Sequence, residues 1–169
     1  MKSKIVLAVG TVCVVFASLS QAAQLPSPTG RVILTVSGNI SNTNTADNTA
    51  EFDRQMLQGL DLATLDTTTP WTEGINSYEG PLLKSLLDYV GAKSSSLSVT
   101  ALNDYSASVP VKDAYDYDTI LAMSVNGKTM GVREKGPLFL LYPFSQNPSL
   151  NNEVIHNRSV WQIKAIKVE

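Results

Sequence analysis

The second half of the chain most constrains its fold, because short strand-like runs alternate there with turn signals. Residues 97–102 and 106–111 favour paired strands, and Asn103-Asp104 between them is typical of a turn. Asn126-Gly127 is the dipeptide most typical of a two-residue hairpin. Runs this short, divided by turns this often, predict a domain dominated by strands.

The remaining pattern predicts further strands and one clear helix. Pro81 suits a first helical turn, leucines recur at helical spacing through residues 81–90, and Gly91 is a stop signal. Residues 50–58 could be a short helix or irregular, and residues 66–71 read as a polar run. We therefore predict an α+β fold with a few short helices. The other expected strands are residues 32–38, 61–65, 119–125, 138–142 as a central strand, and 160–168.

The first residues are typical of a secretory signal. Lys2 and Lys4 precede a mostly apolar run at residues 5–19, and Ser20-Gln21-Ala22 fits the small-x-small cleavage rule. We expect residues 1–22 to be removed and residues 23–169 to form a single domain in the bacterial periplasm or beyond it. The alternative is a retained membrane anchor.

Charge and cysteine content exclude several functions. The formal net charge is −2, and loss of the two N-terminal lysines would make it more negative. Nucleic acids and anionic membranes favour a clustered basic face instead. The only cysteine, Cys13, lies in the expected signal segment, so the mature domain would be held by packing alone and would offer no thiolate to a metal.

Residues for catalysis are scarce. A hydrolytic triad would have to use His156, the sole histidine, which lies in a polar stretch that reads as a solvated loop. Asp113, Asp116 and Asp118 are close in sequence, but no calcium-loop spacing follows them. We therefore expect neither a catalytic centre nor a metal site, and we expect that the protein is not an enzyme.

The remaining polar and aromatic residues suit recognition of a flat, polar heterocycle. Such a ligand needs an aromatic face and in-plane donors and acceptors at its rim. Trp161 could instead be core packing, Asp104 a hairpin turn residue and Arg133 an ordinary exposed charge. The candidates for the face are Trp71, Tyr105, Tyr142 and Trp161, and those for the rim are Arg133, Arg158, Asp104 and Glu134.

Several motifs, in order, resemble the molybdopterin-binding domain of sulfite-oxidase-type enzymes over about residues 60–169. That resemblance implies mixed sheets with curved strands around a pterin pocket. The motifs are Tyr78-Glu79-Gly80-Pro81-Leu82-Leu83, Leu86-Leu87, Gly91-Ala92, Asn103-Asp104-Tyr105-Ser106, Val109-Pro110-Val111, Asn126-Gly127-Lys128, Gly136-Pro137-Leu138 and Arg158-Ser159-Val160-Trp161.

One departure from the family pattern bears on function. Enzymes of that family hold molybdenum partly through a cysteine, whereas residues 65–71 here read Leu-Asp-Thr-Thr-Thr-Pro-Trp. The chain is more similar to small exported members that bind a pterin without metal. In that subfamily, the resemblance implies, a periplasmic pterin-loaded sensor regulates a membrane-bound enzyme of cyclic di-GMP turnover.

The resemblance also implies a set of ligand-binding residues. We expect one aromatic ring to stack on the pterin, while arginine and aspartate pair with its amino-oxo edge. Two alternatives remain open: a redox subunit that carries a molybdopterin cofactor, and a structural exported module with a degenerate pocket. The expected pocket residues are Thr69, Trp71, Asn103, Asp104, Tyr105, Arg133, Lys135, Arg158 and Trp161.

Overall fold

The computed structural model describes residues 25–169 as three β-sheets joined by short helices, which confirms the α+β class. The expected signal segment lies outside the described residues. The strands are β1 (Val32–Gly38), β2 (Ala50–Asp53), β3 (Leu62–Thr69), β4 (Thr72–Pro81), β5 (Ser96–Ala101), β6 (Ser106–Pro110), β7 (Ile120–Ala122), β8 (Ser124–Val125), β9 (Lys128–Thr129), β10 (Phe139–Leu141) and β11 (Ile163–Val168). The α-helices are α1 (Arg54–Gln58), α2 (Leu83–Tyr89), α3 (Lys112–Asp116) and α4 (Glu153–Arg158), and Val132–Glu134 and Pro148–Leu150 form 3-10 turns.

The largest sheet has the order β2-β1-β11-β5-β6. Its neighbours pair antiparallel except β1 and β11, which are parallel with Thr35 opposite Ala165. Alternate residues, such as Leu97 and Val99, are buried, because side chains of a strand point to opposite faces in turn. One face therefore supplies the core.

The other two sheets contribute the remaining strands. β3, β4, β8 and β9 form one sheet in that order, and β10 pairs with β7 in the other. β4 passes very close to β7, since a Cβ on Gly80 would lie 2.0 Å from the carbonyl oxygen of Leu121. Only glycine permits this approach. The buried apolar residues between Leu25 and Val168 form one cluster that joins the sheets.

Within residues 25–169, no helix is long and apolar enough to cross a membrane. The predicted helix at residues 81–90 is confirmed with narrower bounds as α2, whose Leu83, Leu86 and Leu87 are buried. The predicted hairpin at Asn126-Gly127 is confirmed as the turn between β8 and β9, where both residues have positive φ angles.

Several element predictions were wrong. The strand expected at residues 61–65 continues as β3 through residues 66–69, which were expected to belong to a polar run. Strand β4, the longest strand within residues 25–169, was not predicted. Pairing explains both, because the two strands bond along nearly their whole length despite their polar sequences. Residues 119–125 are divided between β7 and β8, which belong to different sheets.

Four further segments differ, wholly or in part, from the prediction. Residues 50–58 contain β2 followed by α1, whose N-cap Asp53 accepts a hydrogen bond from the Met56 amide. β10 belongs to a two-stranded sheet and is not a central strand. His156 lies in α4 rather than in a loop, and β11 begins at Ile163 instead of residue 160.

Candidate functional site

A cavity of about 340 Å³ opens where three segments of the chain meet. The turn between β3 and β4 supplies Trp71, the end of β5 and the following turn supply a second wall, and α4 with the chain after it supplies the third. Its size falls within the range of small-molecule sites. The lining residues are Trp71, Ala101, Asn103, Tyr105, His156, Asn157, Ser159, Val160 and Trp161. We call this cavity the aromatic pocket.

Trp71 is the centre of the aromatic pocket. Its ring centroid lies 5.3 Å from that of Trp161 and 5.6 Å from that of His156, with near-perpendicular ring planes. Phe139 and Phe144 contact the same indole edge-on at 5.9 and 6.2 Å. Aromatic pairs favour such geometries, so the rings hold one another in place before any ligand arrives.

Trp161 is the more accessible of the two indoles. Its relative exposure is 36%, whereas Trp71 is half-buried. The ammonium of Lys135 lies over the Trp161 ring, 5.1 Å from its centroid. A cation at this position attracts the electron-rich face of the ring and restrains its orientation. Lys135 itself does not line the aromatic pocket.

Polar groups form a rim around these rings. The Tyr105 hydroxyl donates to the carbonyl oxygen of Asn157 at 3.2 Å, which joins the β5–β6 turn to α4. His156 Nε2 lies 2.8 Å from the side-chain oxygen of Asn151, and this contact favours the tautomer with its proton on Nε2. A rim of this kind could bind the polar edge of a ring.

A buried carboxylate fixes α4 to the body of the domain. Asp113 of α3 is 1% exposed, and its Oδ2 accepts from Arg158 Nη1 at 3.0 Å and from the Tyr142 hydroxyl at 2.9 Å. Burial raises the pKa of Tyr142, and the adjacent negative charge of Asp113 and the hydrogen bond to it raise this pKa further. The network holds the helix that presents His156 and Asn157 to the pocket.

Four of the nine expected site residues line the aromatic pocket: Trp71, Asn103, Tyr105 and Trp161. Two more support its indoles without lining it. Thr69 Oγ1 accepts a hydrogen bond from the Trp71 amide at 3.2 Å, and Lys135 lies over Trp161.

The other three lie elsewhere. Asp104 occupies a left-handed turn position and forms an exposed ion pair with Lys164, as the hairpin-turn reading anticipated. Arg133 is exposed in the 3-10 turn and faces a different surface cavity. Arg158 is committed to Asp113. The expected pairing of an arginine and aspartate with a ligand edge has no counterpart in this pocket.

Sequence reasoning missed five lining residues: Ala101, His156, Asn157, Ser159 and Val160. A signal for α4 was present, because Asn152 precedes the acidic Glu153 and caps the helix by accepting from the Ile155 amide. A helix starting there would have placed His156 in ordered structure. Its contact with Trp71 depends on the tertiary fold.

Comparison with known families gives the class of the domain. The family described as "Oxidoreductase molybdopterin binding domain" matches residues 19–145, well over half of the sequence. The chain belongs to this family. The matched range includes Trp71, Asn103 and Tyr105 and ends before α4 and Trp161. No curated protein matches the chain.

The donor set does not fit a molybdenum centre of the thiolate type. Residues 25–169 contain no cysteine and no group of three or more His, Cys, Asp or Glu side chains that could hold a metal ion. Hydroxyls of the threonine run are poor substitutes for a soft thiolate. The pterin part of the cofactor fits better, because the pocket has the size, the rings and the polar rim that a flat heterocycle needs.

Proposed function

We propose that the protein binds a pterin without metal, as a periplasmic sensor and not as an enzyme. The observation that carries this proposal is the aromatic pocket itself: mutually packed rings surround a cavity in a molybdopterin-binding fold whose described residues contain no thiolate.

The rings suit stacking and the rim suits edge recognition. Stacking of a base-like ring on an aromatic side chain is worth about 1–3 kcal/mol. Trp161 is the best placed for this role, because its ring is accessible and already held by Trp71 and Lys135. Asn103 and His156 would then bind the polar edge of the pterin. Preorganised rings lower the entropy cost of binding.

The partner and the location belong to the same proposal. The sequence pattern at residues 1–22, which is typical of a secretory signal, supports export. Resemblance to small exported pterin-binding members supports regulation of a membrane-bound partner by its periplasmic domain, and an enzyme of cyclic di-GMP turnover is the candidate. Ligand binding at a site formed by three separate chain segments would change how they are held together. Such a change is what a sensor transmits.

The first experiment uses protein purified from its native periplasm. Released small molecules are assayed for pterin fluorescence and mass, and the intact protein is assayed for molybdenum. About one equivalent of pterin without metal is the expected result. Molybdenum at about one equivalent would favour the redox-subunit alternative.

A titration provides the control. Protein freed of ligand is titrated with biopterin alongside a variant in which Trp161 is replaced by alanine. Binding to the parent and clearly weaker binding to the variant supports the proposal. Absence of both native pterin and biopterin binding would favour the structural module.

A further inference from the structure

A second concavity of about 540 Å³ is lined in part by Leu102, Lys164 and Ala165, which lie close in sequence to residues of the aromatic pocket. We call it the basic groove. It exposes three large apolar side chains, Val32 at 36%, Leu102 at 46% and Val132 at 55%. Exposed apolar residues gathered in one concavity are typical of an interaction surface.

The basic groove carries one sign of charge. Arg31, Arg54 and Lys164 line it, and none of its lining residues is acidic. Lys164 pairs with Asp104, but Arg31 forms no ion pair within residues 25–169. The positive sign contrasts with the negative charge of the chain as a whole. A partner that complements this surface is therefore apolar and negatively charged.

Gln162 connects the basic groove to the aromatic pocket. Its side-chain amide donates to the carbonyl oxygen of Val132 at 2.8 Å, and its own carbonyl accepts from the Leu102 amide at 2.8 Å. Its neighbour in sequence is Trp161 of the aromatic pocket, and Leu102 follows the pocket residue Ala101. The same two short segments thus shape both concavities.

We propose that the basic groove docks an extended acidic segment of a partner protein, with apolar side chains alternating with carboxylates. Alternate residues of an extended chain point in opposite directions, so one set can contact the apolar floor while the other contacts Arg31 and Arg54. The idea that this partner is the regulated one rests on the proposed sensor function. The docking surface itself rests on the groove alone.

The test uses the mature chain and a short fluorescein-labelled peptide in which glutamate alternates with leucine. Its counterpart has lysine in place of every glutamate. Fluorescence anisotropy should show binding of the acidic peptide only, weakening as salt is raised. Arg31→Glu should weaken binding roughly tenfold, because an attraction becomes a repulsion. Lys128→Glu, with the same change of net charge on exposed β9, should leave binding unchanged.

Apolar contacts are tested by a second pair of variants. Val132→Ser should weaken the acidic peptide several-fold, and Ile75→Ser should not, since Ile75 is 70% exposed but lies outside the groove. Thermal unfolding of each variant checks that it remains folded. No binding of the acidic peptide, or equal effects of the paired variants, would overturn the proposal. So would a salt-sensitive homodimer that Arg31→Glu dissociates, because a second copy would then occupy the groove.

Biopterin titration of the same samples separates the two proposals. Peptide binding by protein that neither carries native pterin nor binds biopterin would reject the sensor function and support the groove as a docking site. Pterin binding without peptide binding would support the sensor function and reject the groove as a docking site.

Discussion

The third wall of the aromatic pocket has two parts, which we call the α4 wall and the Trp161 wall, and these are held in opposite ways. The α4 wall depends on a buried charge, with Asp113 binding both Arg158 and Tyr142 beneath the surface. The Trp161 wall depends on an exposed ring that touches Trp71 and Lys135. A buried ion pair leaves large penalties when one partner is lost, whereas surface ring contacts contribute little to folding. We infer that α4 determines whether the pocket forms and that Trp161 determines how tightly the pocket binds its ligand.

The largest expected effect comes from the α4 wall. Asp113→Ala leaves the Tyr142 hydroxyl buried without its acceptor and Arg158 without its counter-ion. The free energy of unfolding should fall by about 3 kcal/mol, which is the lower end of the range for breaking a buried ion pair. The lower end applies because the Arg158 side chain is 26% exposed. Urea denaturation measures this change. Asp116→Ala on the exposed side of α3 is the matched control, and an equal loss there would contradict the assignment.

Trp161 should give the opposite pattern. Trp161→Ala should weaken pterin binding by about 2 kcal/mol through lost stacking and lower the free energy of unfolding by less than about 1 kcal/mol. Trp71→Ala should also cost stability, by about 2–3 kcal/mol, because that ring is half-buried among four aromatic neighbours. Paired calorimetric titrations and urea melts distinguish the two. Similar stability losses for both indoles would remove the proposed distinction.

The role of the Tyr142 hydroxyl should be visible in the pH dependence of the free energy of unfolding. Tyr142→Phe should cost about 1 kcal/mol at neutral pH, the scale of one hydrogen bond. Because folding raises the pKa of Tyr142, its contribution is fully present below the ordinary tyrosine value of about 10 and is lost as pH rises through the folded value. The parent protein should therefore lose stability more steeply than the variant above about pH 10. Parallel slopes from urea melts across that range would count against the buried network.

Lys135 should have the smallest effect. Lys135→Met removes the cation over Trp161 and keeps an unbranched apolar stem. Pterin affinity should fall by about 0.5–1 kcal/mol, the scale of an exposed cation–π contact. The stability should hardly change. A loss as large as that of Trp161→Ala would mean that Lys135 contacts the ligand directly.

Elements with a clear local sequence pattern could be predicted from the sequence alone. Helix α2 was predictable from the spacing of its leucines, and the β8–β9 hairpin from Asn126-Gly127. Strand β4 was not, because its polar sequence with Gly74 lacks apolar alternation. Its stability comes from pairing with β3, so only the tertiary context reveals it.

The candidate site divides in the same way. Trp71 and Trp161 could each be chosen as site candidates from the sequence alone, because large aromatic residues are distinctive. Both line the pocket. Arg158 was also distinctive, but its burial against Asp113 depends on how α3 and α4 pack, 45 residues apart in sequence. The meeting of His156 with Trp71 likewise has no local pattern. The sequence therefore identified the types of residue in the site. Which residue contacts which could be known only from the fold.

The parallel pairing of β1 with β11 has a consequence for the order of assembly. The first and last strands of the described chain lie side by side in the largest sheet, so this contact closes a loop of almost the entire domain. Contacts of such sequence separation form slowly. Trp161 and Gln162 immediately precede β11, and we expect the ligand cavity and the neighbouring groove to be completed only in the last step of folding. A nascent chain, or one truncated before β11, would therefore lack a complete ligand cavity.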